Sequence, residues 1–303
     1  MVVQLYKSTP TLQHLLGTAN TASGGVSSIT VPVQGTQMVN MQWTGYSGNF
    51  SQPASQRGLY DAEFNLKLAV VPIPFLGMEG IVQIDHAVVP IIEARMNDAM
   101  NVFREGLSTS ILTNSADTTQ IIGFPGAIDD SSGMDSYGGI TRSTSTWWKA
   151  YQTAAGSVDL TRDLCMTDIN ALVKGCGEAP TMGITGYGTW TKLLTSLLPL
   201  ERINYTSGGE NAGNPKVAFR SVEVAGVPIY PDPYATEGTL YLINSNYMSL
   251  YIHKNGGFVF SGFQSTIPNY QIGFVGVVVF LAELVNKKCI ASGKVTGLNY
   301  VSM

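Results

Sequence analysis

The segment from about Val88 to Thr113 constrains this chain most, because no other stretch keeps helical periodicity for so long. Val88, Ile92, Met96, Ala99, Phe103 and Leu107 recur at steps of three and four, with Met100 and Ile111 at the edge of the same stripe. Asn97, Asp98, Asn101 and Glu105 fall on the other side, so one face suits a core and the other suits solvent. Such a helix would run roughly 36 to 39 Å, enough to cross a domain. Pro90 cannot donate an interior hydrogen bond, so either Asp85 caps a helix that kinks at Pro90 or, the preferred reading, the regular helix begins near Val89 with Pro90 in its first turn. Gly106, inside the helix, costs about 1 kcal/mol relative to alanine, which implies a second backbone passing close by. Ile92, Met96, Phe103 and Leu107 are the expected core of this element.

The stretch before it has the opposite character. From Ser8 to Gln56 there is no Asp, Glu, Lys or Arg, and too few large apolar residues for an independent core. An extended arm lying on another surface is the remaining option. Ile29, Val31 and Val33 alternate as a strand does, Met38, Met41 and Trp43 follow, and Tyr46 to Gln56 reads as the tip of a long loop. The chain then returns from Tyr60 to Leu76 as a strand in which Phe64, Leu66 and Leu68 alternate with Asn65 and Lys67, and Pro72 and Pro74 place its end at a sheet edge. Residues 44–75 thus read as a two-stranded flap leading into the helix. An isolated hairpin is marginal in water, so the flap, with Trp43, Tyr46, Phe50, Arg57 and Leu59, must rest on a partner surface.

Composition points the same way. The 303 residues can bury a large core as one domain or two unequal ones, yet only 13% are charged, against a usual share of about 25%. Either Ser, Thr and Asn carry the solvation or copies of the chain cover much of the surface. With 17 basic and 21 acidic residues and a net charge of −4, the chain is not built to grip nucleic acid, and any contact with it is expected to be weak and without sequence preference. Cys165, Cys176 and Cys289 lie too far apart for a metal-ligand pattern and read as buried thiols. No secretory signal is evident, and the apolar run Ile272 to Leu284 is too short to span a bilayer and carries Glu283, so no membrane contact is expected.

After the helix comes a Gly-, Asp- and Ser-rich loop, Gly123 to Gly139, and then Tyr137-Gly-Gly-Ile-Thr-Arg-Ser-Thr-Ser-Thr-Trp-Trp-Lys. Adjacent tryptophans in extended chain point to opposite sides, so Trp147 and Trp148 are expected to anchor two different contacts. From Thr161 helix and strand alternate: helices at Asp168 to Lys174 and Trp190 to Leu198, a strand at Thr181 to Thr185, and later strands at Val217 to Val224, Val227 to Tyr230, Thr239 to Ile243, Ser249 to His253 and Phe258 to Phe263. Tyr270 to Val285 and Lys287 to Leu298 read as long strands beside the helix. Gly183-Ile-Thr-Gly-Tyr-Gly-Thr-Trp sits where a phosphate loop would sit, but the dinucleotide spacing and the P-loop Lys-Ser/Thr pair are absent, and a tight turn is the better account. His14, His86 and His253 lie in different elements, and Asp129, Asp130 and Asp135 lack the alternation of a calcium loop. No catalytic residue, cofactor or metal site is expected.

An uncharged arm, a long flap, one long helix, a Gly-rich turn with paired tryptophans, a compact α/β part and final long strands, in that order, resemble the major capsid protein of tailed bacteriophages, the Hong Kong 97-type fold of α+β class. Tyr137-Gly-Gly-Ile-Thr-Arg with Trp147-Trp148 is similar to a segment in one branch of those proteins. The resemblance implies an N-arm at 1–43, an E-loop at 44–75, a peripheral domain at 76–156 containing the spine helix, an axial domain at 157–257 and further peripheral strands at 258–303. It implies a non-enzymatic shell protein forming hexamers and pentamers around double-stranded DNA, with Trp43, Tyr46, Phe50, Arg57, Leu59, Trp147 and Trp148 at contacts between subunits. Its implied partners are a separate scaffolding protein, a portal and, optionally, a decoration protein. Some relatives carry a cleaved amino-terminal scaffolding segment, whereas this sequence starts in the arm; some cross-link an E-loop lysine, and here none lies between Lys7 and Lys67. An encapsulin-like cargo compartment and, from another class, an α/β nucleotide-binding enzyme using Gly183 to Gly188 are the competing readings.

Overall fold

The structure is a computed structural model that describes residues 9–22, 27–36, 41–49, 58–76, 91–197, 222–265 and 273–302. In chain order the first elements are α1 (Pro10–Gly17), β1 (Asn20–Ala22), β2 (Ser28–Gln34), β3 (Leu59–Asn65), β4 (Lys67–Leu76) and the long helix α2 (Ile91–Thr113). The middle of the chain forms α3 (Phe124–Ala127), β5 (Ser136–Tyr137), β6 (Ile140–Thr141), β7 (Tyr151–Asp159), α4 (Arg162–Cys176), β8 (Met182–Thr185) and α5 (Tyr187–Leu197). Strands complete it: β9 (Val222–Val224), β10 (Val227–Pro231), β11 (Leu240–Ile243), β12 (Met248–His253), β13 (Val259–Ser265), β14 (Gly273–Asn286) and β15 (Gly293–Asn299).

Two large sheets share a continuous core. In the first, β14 pairs along residues 273–282 with β4 and along 274–279 with β13, while its residues 282–286 pair with β12, which in turn pairs with β1. The second is six-stranded and mixed, in the order β7-β15-β11-β8-β10-β9. Helices α4 and α5 cover it through Cys165, Ile169, Leu172 and Leu193. Helix α4 has the ends its sequence asks for: Thr161 accepts from the Leu164 N–H at 3.3 Å, and Gly177 takes the left-handed conformation at φ 80°.

Helix α2 lies against the first sheet. Phe103 packs edge-on against Phe258 and Phe280 at 5.1 and 5.2 Å, and Ala99, Leu107, Ile111 and Leu112 are buried with it. The 23-residue helix ends at Thr113, as the periodicity predicts, where the Asn114 amide donates to the carbonyls of Ala116 and Ile121. Two expectations fail. Met96 has the right helical phase, yet it is 36% exposed, while Ala99 and Met100 pack on Ile73 and Val278. Among the described residues no backbone lies beside Gly106: a Cβ there would meet nothing within 4 Å, and the residue lines a groove of about 400 Å³ between α2 and β4. The Ile92 side chain and Val88, Pro90 and His86 lie outside the described residues.

The flap also differs from its expected form. Its ascending strand is β2, paired antiparallel with β3 from Ser28↔Asn65 to Gln34↔Leu59, so the two-stranded ribbon begins well before residue 44. Tyr60 to Leu76 is not one strand either. Leu66 separates β3 from β4, and the buried face switches there from Ala62 and Phe64 to Ile73, leaving Leu68 57% exposed. A one-residue offset turns every later side chain to the other face. Finally, β15 does not lie beside the long helix; it pairs with β7 and β11 in the second sheet, and β12 pairs with β14 in the first.

Replacing Phe103 with Ala should cost about 3–5 kcal/mol, the sum of lost transfer energy and the cavity left behind. Replacing Met96 with Ala should cost about 1 kcal/mol or less, since it is not buried. Denaturant unfolding of the unassembled chain measures both, and equal costs would contradict this placement of α2.

Candidate assembly surfaces and the junction beneath them

The flap divides into a held base and a bare tip. The Gly35 N–H donates to the Gly58 carbonyl at 3.0 Å, closing the ribbon. Beyond it Met41, Trp43 and Tyr46 are 77%, 90% and 111% exposed, and Leu59, the first residue of β3, is 56% exposed. No described part of the same chain covers them. Phe50 and Arg57 lie outside the described residues.

The base is fixed by the segment singled out as Tyr137 to Trp148. Gly138 and Gly139 turn the chain between β5 and β6 at φ of 59° and 73°, a conformation glycine adopts without steric cost. The Gly138 carbonyl accepts from the Glu63 N–H at 3.0 Å, while Phe64 packs edge-on to Tyr137 at 4.9 Å. A single 3-10 turn, Thr146–Trp148, then sets the two tryptophan rings 5.6 Å apart on one side of the chain. Trp148 is buried and donates to the Tyr137 carbonyl at 2.9 Å; Trp147 stacks on Tyr60 of the flap at 5.0 Å. Trp148, buried by its own chain, is therefore removed from the expected contacts between subunits, whereas Trp147 stays partly exposed. Their partners are in their own chain, because a turn replaces the extended strand that would have splayed them.

Arg142 lies at the centre of this junction and is completely buried. Its Nη1 donates to the carbonyls of Gly126 and Met134, its Nη2 donates to that of Ala127, all at 2.9 Å, and its guanidinium lies 4.8 Å from the Tyr137 ring centre. Tyr137 continues the chain of contacts: its hydroxyl accepts from the Asn286 N–H at 2.9 Å at the end of β14. Burial raises the Tyr137 pKa well above the ordinary range, so the hydroxyl stays protonated. Burial likewise pushes the nearby Cys289 thiol up to about 11, against the pull of Arg142. Cys165 is buried too, whereas Cys176 is only partly so, and all three thiols are free.

The loop aspartates are structural. Burial alone would raise the pKa of Asp129, but the N–H groups of Met134 and Gly133 and the Lys294 ammonium, at 2.6, 2.8 and 3.0 Å, outweigh it and hold the carboxyl below its ordinary value. Asp135 accepts from the N–H and hydroxyl of Ser143. Among the described residues no group of three His, Cys, Asp or Glu side chains could hold a metal, and no described helix is long and apolar enough to cross a membrane. The Gly183 to Gly188 turn is filled from inside. Glu237, which the sequence reading passed over, accepts from the N–H groups of Gly188 and Thr189 at 3.0 and 3.1 Å, so a carboxylate of the chain itself occupies the amino end of α5. A side chain on Gly188 would collide with the Val301 carbonyl.

No protein-family model and no curated sequence matches the chain. Solved structures do. The capsid of cyanophage A-1(L) is 14% identical and superposes with a TM-score of 0.75 over 98% of this chain and 95% of that one. The chain has the Hong Kong 97-type capsid fold. The capsid of a native GTA particle shares it at 11% identity and a TM-score of 0.64, covering 99% of this chain and 93% of that one. So does the holo-SrpI encapsulin complex from Synechococcus elongatus, at 10% identity and 0.59, covering 99% and 95%. Within this capsid fold the Arg142 junction should be the most sensitive polar spot. Arg142→Met leaves three buried carbonyls unmet and should cost roughly 3–5 kcal/mol in unfolding experiments; a cost below about 1 kcal/mol would show that water or neighbouring groups replace the guanidinium.

Proposed function

We propose that the chain is a major capsid protein whose function is to bind copies of itself. One observation carries this reading: the capsid fold leaves apolar, uncharged surfaces bare. Besides the flap tip, the outer face of the first sheet consists of Leu68, Val70, Pro72 and Pro74 on β4 opposite Leu281, Val279, Val277 and Val275 on β14, with Val259 alongside. Leu68, Val70 and Val259 are 57%, 48% and 44% exposed. A sheet apolar on both faces needs a cover on each, and α2 supplies one. We read the other cover as copies of the chain, with the E-loop of one subunit resting on the next.

In this reading subunits assemble as hexamers and pentamers into an icosahedral head around the double-stranded DNA of a tailed phage, in the host cytoplasm and then the virion. The proposed partners are a scaffolding protein, a portal and, optionally, a decoration protein. The N-arm, E-loop, peripheral and axial divisions are carried over with shifted edges: the ribbon of the E-loop starts at β2, and β7 and β15 go with the axial sheet. The protein is read as structural rather than enzymatic, and Glu237 already fills the helix end that a nucleotide-binding reading needs. An encapsulin-like cargo compartment is the second reading, favoured by the shared fold, and packaged DNA in purified particles would distinguish the two.

The test is assembly of a Trp43→Ala, Tyr46→Ala double variant. Its unfolding midpoint should match that of the parent, because neither ring is buried within the chain, while its yield of sedimenting particles should fall about tenfold or more, as loss of aromatic contact residues predicts. Unchanged particle yield would sink the proposal. Boiled particles should run as a single band at 32.4 kDa, and a ladder of higher bands would contradict non-covalent assembly.

A further inference from the structure

Glu283 interrupts the most apolar strand of the chain, and neither the fold nor the proposed shell accounts for it. It is fully buried on β14. Its Oε1 accepts from the Ile122 N–H at 2.9 Å and the Leu284 N–H at 3.2 Å, while its Oε2 is buried with no partner. Ile122 belongs to the segment that leaves α2, and the same segment carries Asp117, which is ion-paired with Lys67 at 2.6 Å. Lys67 is the first residue of β4, just past the Leu66 joint, and it pairs in register with Ala282, the neighbour of Glu283. The flap base, the exit from the long helix and the central strand of the first sheet thus meet at one cluster. A cavity of about 300 Å³ opens beside it, lined by Phe64, Asn65, Asp117 and Ile122 among others.

We propose that the Glu283, Lys67 and Asp117 cluster is a proton-operated latch: with Glu283 protonated, Lys67 stays with Asp117 and ties β4 to the segment leaving α2, and ionisation of Glu283 draws Lys67 away and loosens that tie. The latch is a property of the folded chain whether or not it assembles. Burial is the main influence on the carboxyl and pushes its pKa up to about 8; the Ile122 and Leu284 N–H groups and Lys67 pull it down, and Asp117 pushes it up. On its far side Tyr137 stays protonated. The closed latch therefore keeps a proton that an opened, hydrated glutamic acid gives up above its ordinary value of 4.5. The sign follows: closing is favoured most in acid, the closed-to-open ratio falls about tenfold per pH unit between about 4.5 and 8, and it levels off above.

Amide hydrogen exchange on the full-length, unassembled chain tests this at pH 5.5 and 7.5, corrected for intrinsic exchange rates. In the parent, protection across residues 67–73 and at Ile122 should fall about a hundredfold between the two, while amides of β8 and β15 change far less. In Glu283→Gln the fall should shrink to about threefold or less, because no proton is released. In Asp117→Asn, Lys67 is free to pair with Glu283 and the fall should move to lower pH, which remains decisive if the glutamine variant does not fold. An equal fall in Glu283→Gln, a matching fall in the second sheet, or a shift to higher pH in Asp117→Asn overturns the latch.

Discussion

A guanidinium with no solvent exposure is tolerable only where fixed donors and acceptors replace water. Arg142 meets most of that condition with three carbonyls and one aromatic face, its Nε alone being buried without a partner, and among the described residues its partners are dipoles and a ring rather than a carboxylate. The geometry is demanding, since Gly126 and Ala127 lie in α3, Met134 in the following loop and Tyr137 in β5. Satisfying the charge therefore fixes how these segments sit relative to one another. From Tyr137 the constraint passes to Asn286 on β14, and through Phe64, Trp148, Trp147 and Tyr60 it passes to the base of the flap. The second sheet is tied in by the nearby ion pair of Lys294 and Asp129, also buried.

A held base under a bare tip suits the proposed role, in which the chain meets copies of itself. The tip exposes Met41, Trp43 and Tyr46, and ordering them against a partner costs less when the strands below are already held. The outer face of the first sheet offers apolar area of the same uncharged kind. Under the proposed assembly the low charge content of the chain has a physical meaning, because surface that another subunit covers needs no solvating charge.

Helix α2, β8, α5 and the later part of α4 were legible from periodicity, since each depends on local spacing, whereas the first turns of α4 from Arg162 were missed. The order of elements also carried the fold class. What the sequence did not reveal depends on partners far away in the chain. The phase of α2 was correct, but whether Met96 is covered depends on residues far from it in the sequence. The alternation through Phe64, Leu66 and Leu68 looked continuous, and only pairing of β3 and β4 with different strands exposes the break. Trp147 and Trp148 were noticed for their bulk, while the charge between them and Tyr137 was the better signal: Arg142 is the single charged residue from Ser136 to Trp148. Glu237 gave no local cue, because it acts on backbone N–H groups more than forty residues away, and Glu283 stood out as a charge in an apolar run without revealing its distant partner, the Ile122 N–H.

The central claim is that surfaces this fold leaves bare are completed by further copies of the same chain. Electron cryomicroscopy of the purified chain, concentrated under assembly conditions, tests it most directly. The account predicts closed shells in which Trp43 and Tyr46 of each subunit lose their exposure to a neighbouring subunit. Monomers or small soluble oligomers under every condition, or shells in which those two side chains remain in solvent, would contradict it.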